Sequence, residues 1–326
     1  MKSMILNILD QSPVVEGSSY SDALNNTVEL AKLADKLGYK RYWVAEHHSS
    51  NSFAGTAPEI LIGKLCSETK KLRCGSGGVL ISHYAPFKIA EQFRTLEALY
   101  PGRIDLGIGR APGGDKSIIA ALKSDLGGFE KTDELMNYFE DKGIAKANPK
   151  TESLPELWIL GTSPDSALYA AKKGLRYCFG SFINDEQRQT ALQSYYSNFQ
   201  PSRYLKEPYV NIAVVCLAAD SQAEADELAK CTEYWLSQSF LLGKNIKFPT
   251  YETAVNHKFT IEEQFLINYR RNSVFIGKSN EVKEKLADFV KKIAAHELTI
   301  VTITEHQQDR LRSYELLANE FGINKN

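Results

Sequence analysis

The sequence predicts a single (β/α)8 barrel with an insertion before its last strand, and three observations carry that prediction. Short apolar runs alternate with longer segments of helical period along the whole chain. Eight such runs are present, at 3–9, 40–46, 72–81, 103–109, 156–161, 176–182, 210–218 and 298–304, nearly all separated by a helix. That rhythm calls for parallel strands joined by right-handed crossovers. No Pro/Gly-rich linker divides the 326 residues, so one domain spanning 1–326 is expected. The rival is an open doubly wound sheet.

SMILNILD is the first strand, apolar at most positions. SYSDALNNTVELAKLADKLGY follows as a helix, with Leu24, Val28, Ala31 and Leu33 on one side and Gly38 as its stop. KRYWVAE is the next strand, and APEILIGKLCSETKK the next helix, with Pro58 near its first turn. LRCGSGGVLIS is strand, APFKIAEQFRTLEALYPG is helix closed by Pro101 and Gly102, and RIDLGIGRA is strand. ELWILG, SPDSALYAAKKG, LRYCFGSF, DEQRQTALQSYYSNF and VNIAVVCLA repeat the alternation. SQAEADELAKCTEYWLSQSFLL, TIVTIT and a helix ending near Phe321 complete it. Two segments break the rhythm. A polar connection, KANPKTESLP, lies between Leu126 and Leu154. The insertion, 243–272, shows no strand pattern and is either an active-site lid or a surface excursion.

Composition excludes several partners. Lysine and arginine number 39 against 40 acidic residues, so nothing favours nucleic acid or an anionic membrane. The five cysteines are widely spaced and form no CxxC pair, which reads as reduced, buried thiols. No secretory signal and no run of about 18 apolar residues is seen, so the cytoplasm is the expected location.

Barrel chemistry sits at the carboxyl ends of strands. Five of those ends carry polar or glycine-rich segments: Asp10-Gln11-Ser12, Glu46-His47-His48, Gly75 to Ser82, Gly107 to Gly114, and Gly161-Thr162-Ser163. EHH lacks the i, i+4 spacing of a zinc motif, and adjacent strand residues point to opposite faces. Only one of His47 and His48 can therefore face a pocket, and on its own either role, structural or catalytic, is open. GIGRAPG resembles a dinucleotide fingerprint only loosely, since Pro112 and two glycines follow where a helix should open. Arg110 suits either a bidentate phosphate contact or a rim ion pair. Thr162, Ser163 and Ser166 at a helix start form either a phosphate cradle or an ordinary N-cap.

Taken together, WVAEHHSSN, CGSGGVLIS, HYAPFKIAEQFRTLEALYPGRIDLGIGRAPGG and LGTSPDSALYAAKKG resemble the bacterial luciferase-like flavin-dependent monooxygenases. LDQSP resembles the small single-chain branch of that family. The resemblance covers about 3–240 and 273–322 and leaves the insertion poorly matched. It implies a barrel that holds reduced FMN, supplied by a separate NAD(P)H-dependent flavin reductase. With O2 the flavin would form a C4a-peroxide that oxygenates an aldehyde or another small organic substrate. It implies His47 as acid/base, with a pKa near neutrality, and a cis peptide between Gly77 and Gly78 beneath the flavin ring. Arg110, Thr162, Ser163 and Ser166 match phosphate-binding positions. A second phosphate-binding arginine has no match; Lys116 and Lys123 are the candidates to stand in. Gly109 occupies the position of the luciferases' reactive cysteine, so thiol sensitivity does not transfer. A homodimer is expected, no metal is expected, and light emission is not. Two alternatives stand beside this reading: an F420-dependent hydride-transfer enzyme on the same barrel, and a flavin-binding paralogue without catalysis.

Overall fold

A computed structural model describes residues 4–111, 116–271 and 273–325. Elements follow one another as β1 (Ile5–Asp10), α1 (Tyr20–Leu37), β2 (Arg41–Val44), α2 (Pro58–Glu68), β3 (Arg73–Leu80) and α3 (Pro86–Leu99). Then come β4 (Ile104–Gly109), α4 (Lys116–Ala121), α5 (Phe129–Phe139), β5 (Glu156–Gly161), α6 (Pro164–Lys173), β6 (Arg176–Gly180) and α7 (Arg188–Asn198). The chain ends with β7 (Val210–Ala219), α8 (Gln222–Leu236), α9 (Tyr251–Asn256), α10 (Ile261–Arg271), β8 (Val274–Lys278), α11 (Ser279–Ile293), β9 (Glu297–Val301) and α12 (Gln307–Phe321).

The local rules explain most boundaries. Ser19 and Asp22 form a reciprocal capping box on α1, and Gly38 ends that helix at φ 85°. Pro58, Pro86 and Pro164 sit in first turns, where a missing N–H costs nothing. The buried face of α1 is Ala23, Thr27, Leu30, Ala31 and Ala34. It is rotated from the expected stripe because small residues let the helix lie close to the sheet.

β1 to β7 pair in sequence, and β9 closes the ring between β7 and β1, all in parallel. The eight barrel strands are those the sequence predicts. β8 is a ninth, which the sequence reading missed. β7 is ten residues long; its first part, Asn211–Val215, pairs with β9, and Val215–Ala219 pairs with β8 outside the ring. A short strand with a three-residue apolar core and one paired edge gives little periodicity to read.

Inward positions stack in layers that decide where a ligand can go. At the amino end Arg41 bonds Asp105 (2.8 Å) and Glu297 (2.9 Å), and Arg73 bonds Asp105 (2.7 Å). Glu156 reaches Arg41 at 3.0 Å and Arg176 at 3.4 Å, so six strands contribute one charge each. Above this plug lie Leu9, Trp43, Trp158, Cys178, Ala213 and Val301. Trp43 joins the layers by donating its indole N–H to Asp105 (2.9 Å). The amino end is thus filled, and open volume remains only at the carboxyl end.

Candidate active site

That volume is a cavity of about 620 Å³. Room for it comes from β3 and β4, where the inward residues near the top are glycines. A Cβ on Gly77 would lie 2.5 Å from Leu9 Cδ1, and one on Gly78 would lie 2.7 Å from the Gly107 carbonyl oxygen. Side chains are excluded at both, and the backbone itself forms the wall. The Gly77–Gly78 peptide is cis, as the family resemblance implies, and the β3–β4 register shifts between Ser76 and Val79.

All seven predicted site residues line this one cavity: His47, Gly77, Gly78, Arg110, Thr162, Ser163 and Ser166. His48 does not line it. It turns to Glu46, with Nε2 2.8 Å from the carboxylate and 3.2 Å from the Tyr84 hydroxyl. Glu46 also accepts the Leu80 N–H (3.0 Å) and the Tyr84 hydroxyl (2.6 Å). The acid of EHH therefore ties the end of β2 to the end of β3 and holds His48 out of the cavity lining.

His47 donates its backbone N–H to Gly55 (2.8 Å), and its ring lies over Phe53 at 4.4 Å. Its buried Nδ1 has no hydrogen-bond partner among the described residues. Burial, and secondarily the neighbouring His48, push the imidazole down to about 4. This corrects the expectation of a pKa near neutrality, because the ring is desolvated and no carboxylate faces it. His47 is a neutral imidazole across the neutral range, able to donate at one nitrogen and accept at the other.

The Arg110 guanidinium carbon lies over Phe129, 3.6 Å from the ring centroid. Phe129 stacks on Tyr169 of α6 at 3.9 Å and 8°. Stacking engages the face of the guanidinium and leaves its donors in plane, which is the geometry of a bidentate contact. Arg110 is thereby tied to the helix that carries the hydroxyl cluster. Ser163 caps α6 by accepting the Ser166 N–H (3.3 Å), and the Ser166 hydroxyl donates to the Ser163 carbonyl (2.8 Å). The capping role is present, and Thr162, Ser163 and Ser166 line the same cavity as Arg110. Lys116 and Lys123, considered as second phosphate ligands, are not in the lining. Pro112, Gly113 and Gly114 lie outside the described residues.

The sequence reading missed part of an aromatic cluster, Phe53 and Trp235. Phe53, Trp235 and Phe248 join His47 there, Phe53 and Trp235 meeting edge-on at 5.7 Å. Of the insertion's aromatic residues among those described, Phe248 lines the cavity, whereas Phe265 is 73% exposed. Trp235 sits in the last turn of α8. Cys178 is in the wall, but burial pushes its thiol up, so it is no thiolate nucleophile. All five cysteines are buried and free. Among the described residues no three His, Cys, Asp or Glu side chains cluster to hold a metal. No helix among them is long and apolar enough to cross a membrane.

Comparison with known proteins gives the family. The luciferase-like monooxygenase family matches residues 4–137. A luciferase-like monooxygenase of Escherichia coli (strain K12) is 35% identical, covering 97% of this chain and 96% of that one. The N-acetyl-S-alkylcysteine monooxygenase of Bacillus subtilis (strain 168) is 34% identical, covering 96% and 97%. The crystal structure of apo-MsnO8 superposes with a TM-score of 0.89 at 36% identity, covering 98% of each chain. Alignment at this identity over nearly the full length includes the cavity walls as well as the barrel frame. The chain belongs to the luciferase-like monooxygenase family and is a flavin-dependent monooxygenase.

Proposed function

We propose that the enzyme uses reduced FMN and O2 to oxygenate a small organic molecule, with the flavin delivered by a separate reductase. One observation carries the reading: a single cavity is lined both by a cation with a hydroxyl-bearing helix start and by a glycine wall with His47. Arg110, Thr162, Ser163 and Ser166 would hold the phosphate, using a guanidinium and a helix N-terminus together. Gly77 and Gly78 would lie against the flat ring, since bare backbone lets a planar group approach. The partnerless Nδ1 of His47 would find its hydrogen bond on bound substrate. When bound, reduced flavin supplies two electrons that, with O2, put one oxygen atom into the substrate and the other into water.

F420, the alternative cofactor, carries a longer acidic tail. Among the described residues lining the cavity, Arg110 is the one Arg or Lys, which suits a single phosphate and not an extended polyanion. His47 and the aromatic cluster weigh against a paralogue without catalysis. A homodimer is part of the same proposal, read by sedimentation.

The test is binding. Calorimetry should show FMN binding more tightly than riboflavin, and Arg110→Ala should abolish most of that difference. Loss of a charge-assisted contact is worth about 1.5–3 kcal/mol, on the order of 10- to 100-fold. Equal affinity for the two flavins in the unaltered protein would remove the phosphate assignment.

A further inference from the structure

The charge census of the cavity bears on its substrate, and the inference rests on the FMN reading just given. If Arg110 serves the cofactor phosphate, the remaining described wall has no lysine or arginine. Around the aromatic cluster of Phe53, Trp235 and Phe248 the lining adds Ile303, with Gln11 and Thr232 as neutral polar groups. The one carboxylate there is Glu46. Leu80 N–H, the Tyr84 hydroxyl and His48 converge on it, so its charge is engaged within the protein. Phe248 is 1% exposed, and its backbone is bridged to Val15, so this wall is fixed in a dry position. An anion placed against such a wall would be desolvated without a partner, which is strongly unfavourable. A cation would meet aromatic faces but no available carboxylate.

We propose that the substrate presents an uncharged alkyl or aryl group to the chamber of Phe53, Trp235 and Phe248, and carries no carboxylate or other charge at that end. Selectivity then follows from what the wall lacks as much as from what it offers. A neutral group gains by leaving water, whereas an anion loses its hydration without compensation and a cation regains only part of it on the aromatic faces. Gln11 and Thr232 leave room for one neutral polar handle, such as an ester, amide, thioether or carbonyl oxygen.

The experiment uses the protein saturated with oxidised FMN and three probes of one chain length: methyl octanoate, octanoate and octyltrimethylammonium. Calorimetry should rank the ester at least about tenfold tighter than either ion. Gln11→Arg, which adds a cation to the same wall, should bring octanoate level with the ester or ahead of it. Trp235→Ala should weaken the ester while FMN affinity stays the same. Octanoate or the ammonium probe binding as tightly as the ester in the unaltered protein overturns the proposal, as does no measurable ester binding. These outcomes are separable from failure of the cofactor reading, which shows in the FMN and riboflavin titrations before any probe is added. A melting curve on each variant confirms folding. If Gln11→Arg does not fold, the ranking in the unaltered protein decides.

Discussion

His47 shows how one residue's environment sets its chemistry. The bonds that hold His48 to Glu46 keep that ring out of the cavity lining, while His47 lines the cavity with its ring over Phe53. Burial then keeps it neutral, with a pKa about 4 against an ordinary 6.5. Because the folded value lies below the unfolded one, the unfolded chain binds the extra proton between these limits. The stabilising effect of keeping His47 neutral is therefore full above the ordinary value and declines as pH falls toward 4. His47→Gln should flatten that part of the stability–pH curve, and His47→Ala should slow turnover by about 10²–10⁴-fold if the imidazole handles a proton. FMN affinity should change little in both. An unchanged rate across the neutral range would leave the ring a purely structural role. Alternation could say only that one of the two histidines faces the pocket, and it was the family resemblance that chose His47. Neither could supply the pKa, which depends on the Phe53 ring and on which carboxylate faces which histidine, and both are long-range.

At the level of elements, regular units were legible and irregular ones were not. Eight barrel strands could be read because each is an apolar run between helices. β8 could not, since it pairs on one edge outside the ring. The insertion proves to be two different things. Its first part is stitched to the loops after β1 and β2: Asn51 N–H donates to the Asn245 side chain (2.7 Å), Phe248 N–H to Val14 (2.8 Å) and Lys247 Nζ to Ser18 (2.6 Å). Its second part, α10, exposes Ile261 and Phe265 at 83% and 73%. Backbone bonded to other loops opens less readily than a helix with one exposed apolar side. Hydrogen exchange without ligand should therefore find 245–250 protected and 257–271 faster. Any slowing on adding FMN and an apolar probe should be confined to the second part. Uniform protection of both parts in both conditions would assign the whole insertion to a fixed wall and end its role as a lid.

Over the whole molecule, the charged plug at the amino end makes room for function at the other end. It fills the barrel axis, supports Trp43 through Asp105, and so sets the floor of the cavity. The sequence displayed its members as scattered charges at strand starts, and only closure of the ring brings them together. Burial would raise the Asp105 carboxyl, but Arg41 and Arg73, with the Trp43 N–H, outweigh it and hold the group below the ordinary range. Arg41→Met should then leave Asp105 and Glu297 short of a partner and cost about 3–5 kcal/mol. Since every barrel strand depends on closure, the loss should appear as one lower denaturant midpoint with an unchanged slope. The pH dependence gives the sharper test. With Arg41 present, the Asp105 contribution is complete above its unfolded pKa of about 3.9 and is lost as pH falls through the lower folded value. Without Arg41 that carboxyl titrates higher, and acid relieves an unpaired buried charge. The stability gap between the two proteins should accordingly narrow as pH falls through the raised Asp105 value of the variant toward the lower value of the unaltered protein. A gap of constant size from neutral pH to acid would mean that Arg41 acts by filling volume, and that charge pairing does not hold the plug together.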